Sequence, residues 1–179
     1  MHAPEHSTPR EGLVAGLVGG LIVALWYLVY DTAAGQPLQT PNTFGSIFFH
    51  GDVNPGPRAL LPQAILGYSV LHFVFYILVG MVLTRLVHLA TRNIALRMGV
   101  WLGLVSAFCF FVGLTFMLTT STGQRLPLWS VIGGSFLGVG AMGTYLWRRH
   151  PELRQSFDRA PLGSEGKAPP HPPGHGRAG

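Results

Sequence analysis

The sequence predicts an all-α fold, an integral membrane bundle of four transmembrane helices with both termini on the cytoplasmic side. Three observations lead to this prediction. Only 11% of the 179 residues are charged, whereas a soluble domain contains about 25%. Four long stretches contain no Asp, Glu, Lys or Arg, and the basic residues around them are distributed unevenly. Residues 1–150 are therefore predicted to form the transmembrane domain, and residues 151–179 a tail.

Each charge-free stretch is long enough to cross a bilayer as a helix. A helix rises about 1.5 Å per residue, so about 20 apolar residues cross about 30 Å of hydrocarbon. A helix also satisfies its own backbone hydrogen bonds, which is necessary because the lipid hydrocarbon offers no hydrogen-bond partners. The stretches lie between Glu11 and Asp31, Arg58 and Arg85, Arg97 and Arg125, and Arg125 and Arg148. The predicted spans are residues 12–30, 64–86, 95–118 and 128–147.

The distribution of Lys and Arg predicts the orientation of these spans. Ten of the twelve basic residues flank the N-terminus, the loop between the second and third spans, or the C-terminus, and only Arg58 and Arg125 lie in the other loops. Because basic loops stay in the cytoplasm, both termini are predicted to be cytoplasmic. The predicted interface anchors, which suit anionic headgroups, are Arg85, Arg92, Arg97, Arg148 and Arg149. We expect a multi-pass cell-membrane protein of the bacterial inner-membrane type.

The first span has an alternative interpretation as a signal peptide. Arg10 precedes its apolar run, and the small residues Ala33, Ala34 and Gly35 follow it. The run is longer than the roughly 7–15 apolar residues usual in such peptides, which favours a retained helix. Cleavage would leave three spans in the same orientation.

The outer loop between the first two spans, residues 31–63, is long enough to indicate a function of its own. Thr40 followed by Pro41 matches a helix N-cap and first helical position, which predicts a short helix from Pro41 to His50. Its apolar run is too short to cross the bilayer. We expect this helix to lie on the outer membrane surface or to fold over the bundle, with a surface loop as the alternative. Its apolar face would carry Phe44, Ile47 and Phe48.

Glycines at four-residue spacing predict close helix packing. Residues four apart share a helix face, and small ones let two backbones approach each other. In lipid such packing replaces much of the hydrophobic drive that holds soluble helices together. The predicted packing residues are Gly12, Gly16 and Gly20 on the first helix, Gly99 and Gly103 on the third, and Gly134 and Gly138 on the fourth. The first and fourth helices are predicted to form the tightest pair.

His72 is the sharpest single candidate, because it lies near the middle of a charge-free stretch. An ionisable residue inside a membrane is a functional hypothesis by default. Tyr68, Ser69 and Tyr76 complete a polar stripe on the same helix face. Three interpretations stay open: a neutral histidine bonded to a neighbouring helix, a proton or substrate path, and a haem ligand. The predicted hydrogen-bond partners for the first are Ser106, Thr115 and Ser135.

A second candidate cluster lies in the outer loop and comprises Asp31, His50 and Asp52. Asp and His are able to hold a divalent metal ion, but this spacing matches no ligand motif and Asp is a common turn former. No metal site is therefore predicted. The tail is rich in Pro and Gly, a composition typical of disorder, and its histidines are expected to bind metal weakly at most.

The sequence lacks the motifs of the common enzyme classes. It contains no phosphate-binding Gly-rich loop followed by Lys, no Cys-x-x-Cys and no His-Glu-x-x-His. The predicted spans contain no carboxylate, which argues against a carboxylate-driven antiporter. Paired histidines on facing helices, typical of four-helix cytochromes b, are absent from them, as are the Cys pairs of quinone-linked thiol oxidoreductases.

The resulting functional prediction is a non-catalytic small membrane subunit or scaffold that associates laterally in the membrane. The first alternative is an oligomeric transporter or channel that uses the stripe around His72, and the second is a haem-binding or redox protein. We expect membrane lipids and either further copies or a larger membrane complex as partners. No cofactor and no nucleic-acid partner is expected.

Overall fold

The computed structural model describes residues 8–52, 59–92, 97–121 and 126–151. The side chains of residues 91, 92, 97 and 118–121 lie outside this description, and so does the rest of the chain. The described residues contain helices and no strand. The five helices are α1 (Thr8–Ala33), α2 (Gln39–His50), α3 (Pro62–Arg92), α4 (Arg97–Ser121) and α5 (Leu128–Arg149).

Three of the described helices are long and apolar enough to cross a membrane. They are Thr8–Ala33, the Pro62–Ala90 part of α3, and the Met98–Met117 part of α4, and they coincide with the first three predicted spans. The helix α5 contains the fourth predicted span but is not in this group. Its 22 residues are enough to cross a bilayer, but it is rich in glycine, which lowers its mean hydropathy.

The long helices pack as antiparallel neighbours in the cyclic order α1, α3, α4, α5. The direction of α3 relative to α1 follows from two contacts, Gly12 with Met81 and Gly20 with Phe73. The helices α1 and α4 lie on opposite sides of the ring and, among the described residues, do not touch. The helices α3 and α5 contact each other over only a short length, so α1 is the main connection between them.

Glycines on both helices bring α1 and α3 into backbone contact. A Cβ atom on Gly80 of α3 would lie 2.5 Å from the carbonyl oxygen of Gly12 and 2.5 Å from the nitrogen of Gly16. A Cβ atom on Gly16 would in turn collide with the backbone of Ile77. The sequence analysis identified Gly12 and Gly16 as packing residues but missed Gly80, which has no glycine four residues away.

The contact between α1 and α5 is also close, but it joins side chains to glycines. Gly138 of α5 receives Val23, whose Cγ2 would lie 2.5 Å from an added Cβ, and Gly134 receives the ring of Trp26. The sequence analysis predicted that this pair would be the tightest. In the structure α1 packs on both neighbours. Its closest backbone approach is to α3, because Gly80 has no side chain to separate α3 from Gly12 and Gly16 of α1.

The short helix α2 exists, but it begins at Gln39, two residues before the predicted start at Pro41. Its N-cap position is Leu38, which has a left-handed backbone with φ of 67° and offers no side-chain cap. Thr40 is therefore not the cap. The helix lies against the start of α3, where Gly45 meets the backbone of Ala64. Of its predicted apolar face, Phe44 is buried and Phe48 is exposed.

Several predicted features lie outside the described residues. They include the tail from residue 152 onward, the outer-loop residues 53–58 with Arg58, and Arg125. The side chains of Arg92 and Arg97 are also outside the description. Of the remaining predicted interface anchors, Arg85, Arg148 and Arg149 are exposed, and the Arg149 guanidinium lies 5.7 Å from the centre of the Tyr145 ring.

Candidate functional site

His72 is held by α1 and not by any of its three predicted partners. Its Nε2 atom lies 3.0 Å from the carbonyl oxygen of Gly20. A carbonyl oxygen only accepts hydrogen bonds, so Nε2 carries the proton and donates it. A Cβ at position 20 would lie 3.1 Å from the ring of Phe73 and 3.3 Å from Cβ of Tyr76, so the glycine permits the close approach of α3 to the α1 backbone at this point. The Nε2 atom is thus engaged within the chain.

The rings around His72 form a continuous aromatic column from α2 to α4. The His72 ring centre lies 5.9 Å from that of Tyr68 and 4.7 Å from that of Tyr76. At one end Tyr68 stacks on Phe44 of α2, and at the other Tyr76 stacks on Phe111 of α4. Ring pairs at these separations stabilise a contact by about 0.5–1.5 kcal/mol beyond their burial. The predicted stripe therefore joins three helices.

Ser69, the fourth residue of the stripe, donates to the carbonyl oxygen of Ile65 one turn earlier in α3. It lines a small cavity of about 180 Å³ between α1, α2 and α3. The polar side chains that line this cavity are Tyr27, Thr40, Tyr68, Ser69 and His72. A cavity of this size has room for a few water molecules beside polar partners.

The predicted outer-loop cluster does not assemble into a metal site. Asp31 is 3% exposed, and its two carboxylate oxygens accept hydrogen bonds from the Thr40 backbone nitrogen and the Thr40 hydroxyl, each at 2.7 Å. It thereby caps the N-terminus of α2, a position that favours a carboxylate. His50 lies exposed at the other end of α2, and Asp52 follows it, half-buried.

A further polar contact fixes α2 against α3. The side-chain oxygen of Asn42 accepts a hydrogen bond of 2.8 Å from the backbone nitrogen of Leu61, just before α3 begins. Asn42 is 2% exposed. Asp31 and Asn42 thus accept hydrogen bonds from backbone donors at helix starts, which have no partner within their own helix.

The opposite end of the bundle holds a cluster that the sequence analysis missed. Glu11 near the start of α1, His88 near the end of α3 and His150 just after α5 place their ligand atoms within 4.8 Å of one another. The Glu11 carboxylate is 9% exposed. These three residues are far apart in the sequence, and Glu11 was used there only to mark the end of a charge-free stretch.

A large apolar groove opens between α3, α4 and α5. Its volume is about 500 Å³, and its walls include Trp101 and Phe108 of α4 with Phe136, Gly140 and Thr144 of α5. Of the other α4 aromatics, Phe111 is buried, whereas Phe110 and Phe116 are 54% and 48% exposed. The aromatic surface of α4 therefore divides between the core and the outside.

The glycines of α4 and α5 divide in the same way. Gly103 receives Leu86 of α3, but among the described residues no atom lies within 4 Å of a Cβ added at Gly99, Gly113 or Gly140. That part of the chain therefore supplies no packing partner for Gly99. The lone cysteine, Cys109, is also exposed on α4.

The chain was compared with known protein families, curated proteins and solved structures. No family model, no curated protein and no solved structure matches this chain.

Proposed function

We propose that this protein is a non-catalytic integral membrane subunit that binds a transmembrane helix of a larger complex in the groove between α4 and α5. The observation that carries this proposal is Gly140, which lines the groove and has no atom of the described residues within 4 Å of an added Cβ. A glycine inside a helix costs about 0.5–1 kcal/mol relative to alanine. On α1 the close approach of α3 offsets that cost, whereas Gly140, like Gly99 and Gly113 on α4, meets no neighbour among the described residues.

The spacing on α5 favours a helix as the occupant of the groove. Gly140 and Thr144 are four residues apart, both are exposed, and both line the groove. Small residues at this spacing are typical of transmembrane helix contacts, in which two backbones come close together. The exposed aromatic rings of α4 would add packing surface for the incoming helix.

In this proposal α5 is the fourth transmembrane span, and both termini are cytoplasmic. The support for α5 is its length and its antiparallel packing along α1, where Trp26 donates to the Ser130 carbonyl oxygen at 3.0 Å. Tryptophan pairs lie toward both ends, Trp26 with Trp129 and Trp101 with Trp147, as expected for two aromatic belts. The distribution of basic residues supports the orientation.

The same packing supports retention of the first span. The helix α1 joins α3 to α5, which otherwise meet only briefly. Loss of α1 by cleavage would expose the glycine faces of both helices, so the retained helix is the interpretation consistent with the packing.

The test is purification from the native membrane in a gentle detergent through a C-terminal tag, with mass spectrometry of the co-purifying proteins. The parent chain is compared with Gly140→Leu, which fills the groove from an open position, and with the matched control Val74→Leu, on an exposed face of α3. We expect a stoichiometric partner with the parent and the control, reduced at least tenfold with Gly140→Leu. A homo-oligomer alone, or lipid alone, would contradict the proposal.

A second candidate function, transport, rests on the cavity beside His72. A proton path through a membrane needs polar groups and water in a chain, and the cavity offers the hydroxyls of Thr40, Tyr68 and Ser69. His72→Ala decides between the two functions: a transporter reconstituted in vesicles loses proton flux and keeps its assembly state. The haem interpretation receives no support from His72, because its Nε2 atom is engaged with Gly20.

A further inference from the structure

The cluster of Glu11, His88 and His150 has the composition of a metal site. The Nε2 atom of His150 lies 3.1 Å from Oε1 of Glu11, and the Nε2 atom of His88 lies 3.8 Å from Oε2. One ligand atom from each residue lies within 4.8 Å of the other two. Two imidazoles and one carboxylate are a common protein ligand set for zinc.

His88 is oriented as a metal-binding histidine would be. Its Nδ1 atom lies 3.0 Å from the carbonyl oxygen of Thr84, so Nδ1 carries the proton and donates it. In the neutral ring the lone pair is then on Nε2, the atom that faces Glu11. Metal-binding histidines usually donate their other ring N–H to a carbonyl or carboxylate in this way, which fixes the tautomer and the ring orientation.

The carboxylate of Glu11 lacks full compensation within the described residues. It is 9% exposed, and its Oε2 atom is buried without a hydrogen-bond partner there. The Thr84 hydroxyl on the neighbouring turn of α3 is likewise buried without one. Burying a charge is costly unless it is paired. A metal cation bound between Glu11 and the two histidines would compensate the buried carboxylate.

The geometry is close to that of a bound ion. Ligands about 2.0–2.1 Å from a tetrahedral zinc are about 3.3–3.4 Å apart. The distance from His150 to Oε1 of Glu11, 3.1 Å, is slightly shorter than that spacing, and the distance from His88 to Oε2, 3.8 Å, is slightly longer. The rings of His88 and His150 meet edge to face with their centres 4.8 Å apart.

We propose that Glu11, His88 and His150 bind a divalent transition-metal ion of the Zn²⁺ class, with the fourth position open to water. The site joins the start of α1 to the ends of α3 and α5, so the ion acts as a clip across three helices. His150 also lines the groove between α4 and α5, whereas Glu11 and His88 do not, so the Glu11→Gln and His88→Gln variants test this inference separately from the partner-binding function proposed above.

The test is metal titration of the metal-free full-length protein in detergent, with Zn²⁺ followed by calorimetry and Co²⁺ by visible absorption. The parent is compared with Glu11→Gln, His88→Gln and His150→Gln. The matched control is His171→Gln with His175→Gln, which removes the two tail histidines. We expect one equivalent of metal to bind the parent and the control, with the intense Co²⁺ absorption typical of four-coordinate sites.

Loss of one ligand is expected to weaken binding by more than about 100-fold, since loss of an outer-shell group alone weakens metal sites by about 10–100-fold. Binding retained in all three ligand variants and lost in the tail control would overturn the proposal. So would the absence of stoichiometric binding to the parent, which would leave a proton as the cation between His150 and Glu11. His150 follows the last residue of α5, so the His150→Gln variant is expected to fold. It therefore still tests the site if the Glu11→Gln variant fails to fold.

Discussion

The two ends of the bundle bury polar groups in contrasting ways. At the α2 end Asp31 accepts two hydrogen bonds from Thr40, and Asn42 accepts one from the Leu61 nitrogen. At the opposite end Glu11 and Thr84 have side-chain oxygens that are buried without a hydrogen-bond partner among the described residues. The Ser130 hydroxyl is an exception at the α2 end, but it carries no charge.

This contrast separates structural from functional polar groups. A buried polar group that is fully hydrogen-bonded fixes the local structure, and its role is complete within the chain. A buried group without a partner requires an explanation, such as an ion or water. Asp31 and Glu11 are both buried carboxylates on α1. Replacing each carboxylate by the corresponding amide therefore tests the distinction directly.

The largest effect is expected from Gly45→Leu, at the contact between α2 and α3. A side chain at position 45 collides with the backbone of Ala64, and a backbone cannot rotate away as a flexible side chain does. We expect a loss of about 3 kcal/mol in the free energy of unfolding, measured by thermal unfolding in detergent. Gly99→Leu, at a position with open space, is the control, and an equal loss there would contradict the assignment.

A smaller effect is expected from Asp31→Asn. The amide keeps the shape of the carboxylate but presents an N–H₂ group to one of the two donors of Thr40. We expect the protein to lose about 2 kcal/mol of stability and α2 to become sensitive to protease. Thr32→Ala next to it removes an exposed hydrogen bond within α1 and should change stability by less than about 0.5 kcal/mol.

The smallest effect is expected from Glu11→Gln in the absence of metal. The amide loses the attraction to the histidines, but it also removes the cost of burying a charge, and these contributions largely cancel. We expect a change of less than about 1 kcal/mol in the presence of a chelator. With Zn²⁺ added, the parent should gain thermal stability and Glu11→Gln should not. A large loss in the chelator-treated variant would place Glu11 with Asp31 as a structural carboxylate.

The sequence predicted the long helices well because a membrane span is a one-dimensional pattern. The length of a charge-free stretch can be read without knowing any neighbour. The start of α2 was less accurate, because its cap comes from Asp31, nine residues earlier in the chain. A local pattern such as Thr40 followed by Pro41 does not contain that information.

The site residues were harder to predict because their partners lie on other helices. The sequence predicted side-chain hydroxyls as the partners of His72, whereas in the structure its ring donates to the backbone carbonyl oxygen of Gly20. The cluster of Glu11, His88 and His150 depends on the antiparallel register of α1, α3 and α5. That register is set by tertiary packing at Gly16 and Gly80, for which the sequence offers only a weak signal.

The central position of α1 also has a consequence for biosynthesis. The ribosome makes α1 first and α5 last, yet the Trp26 and Val23 side chains of α1 fit against glycines of α5. That surface of α1 stays without its final neighbour until nearly the whole domain has been translated. Until then a chaperone or another nascent helix can bind the same surface of α1. Chains that stop before residue 128 would display this unfilled surface to quality-control proteases.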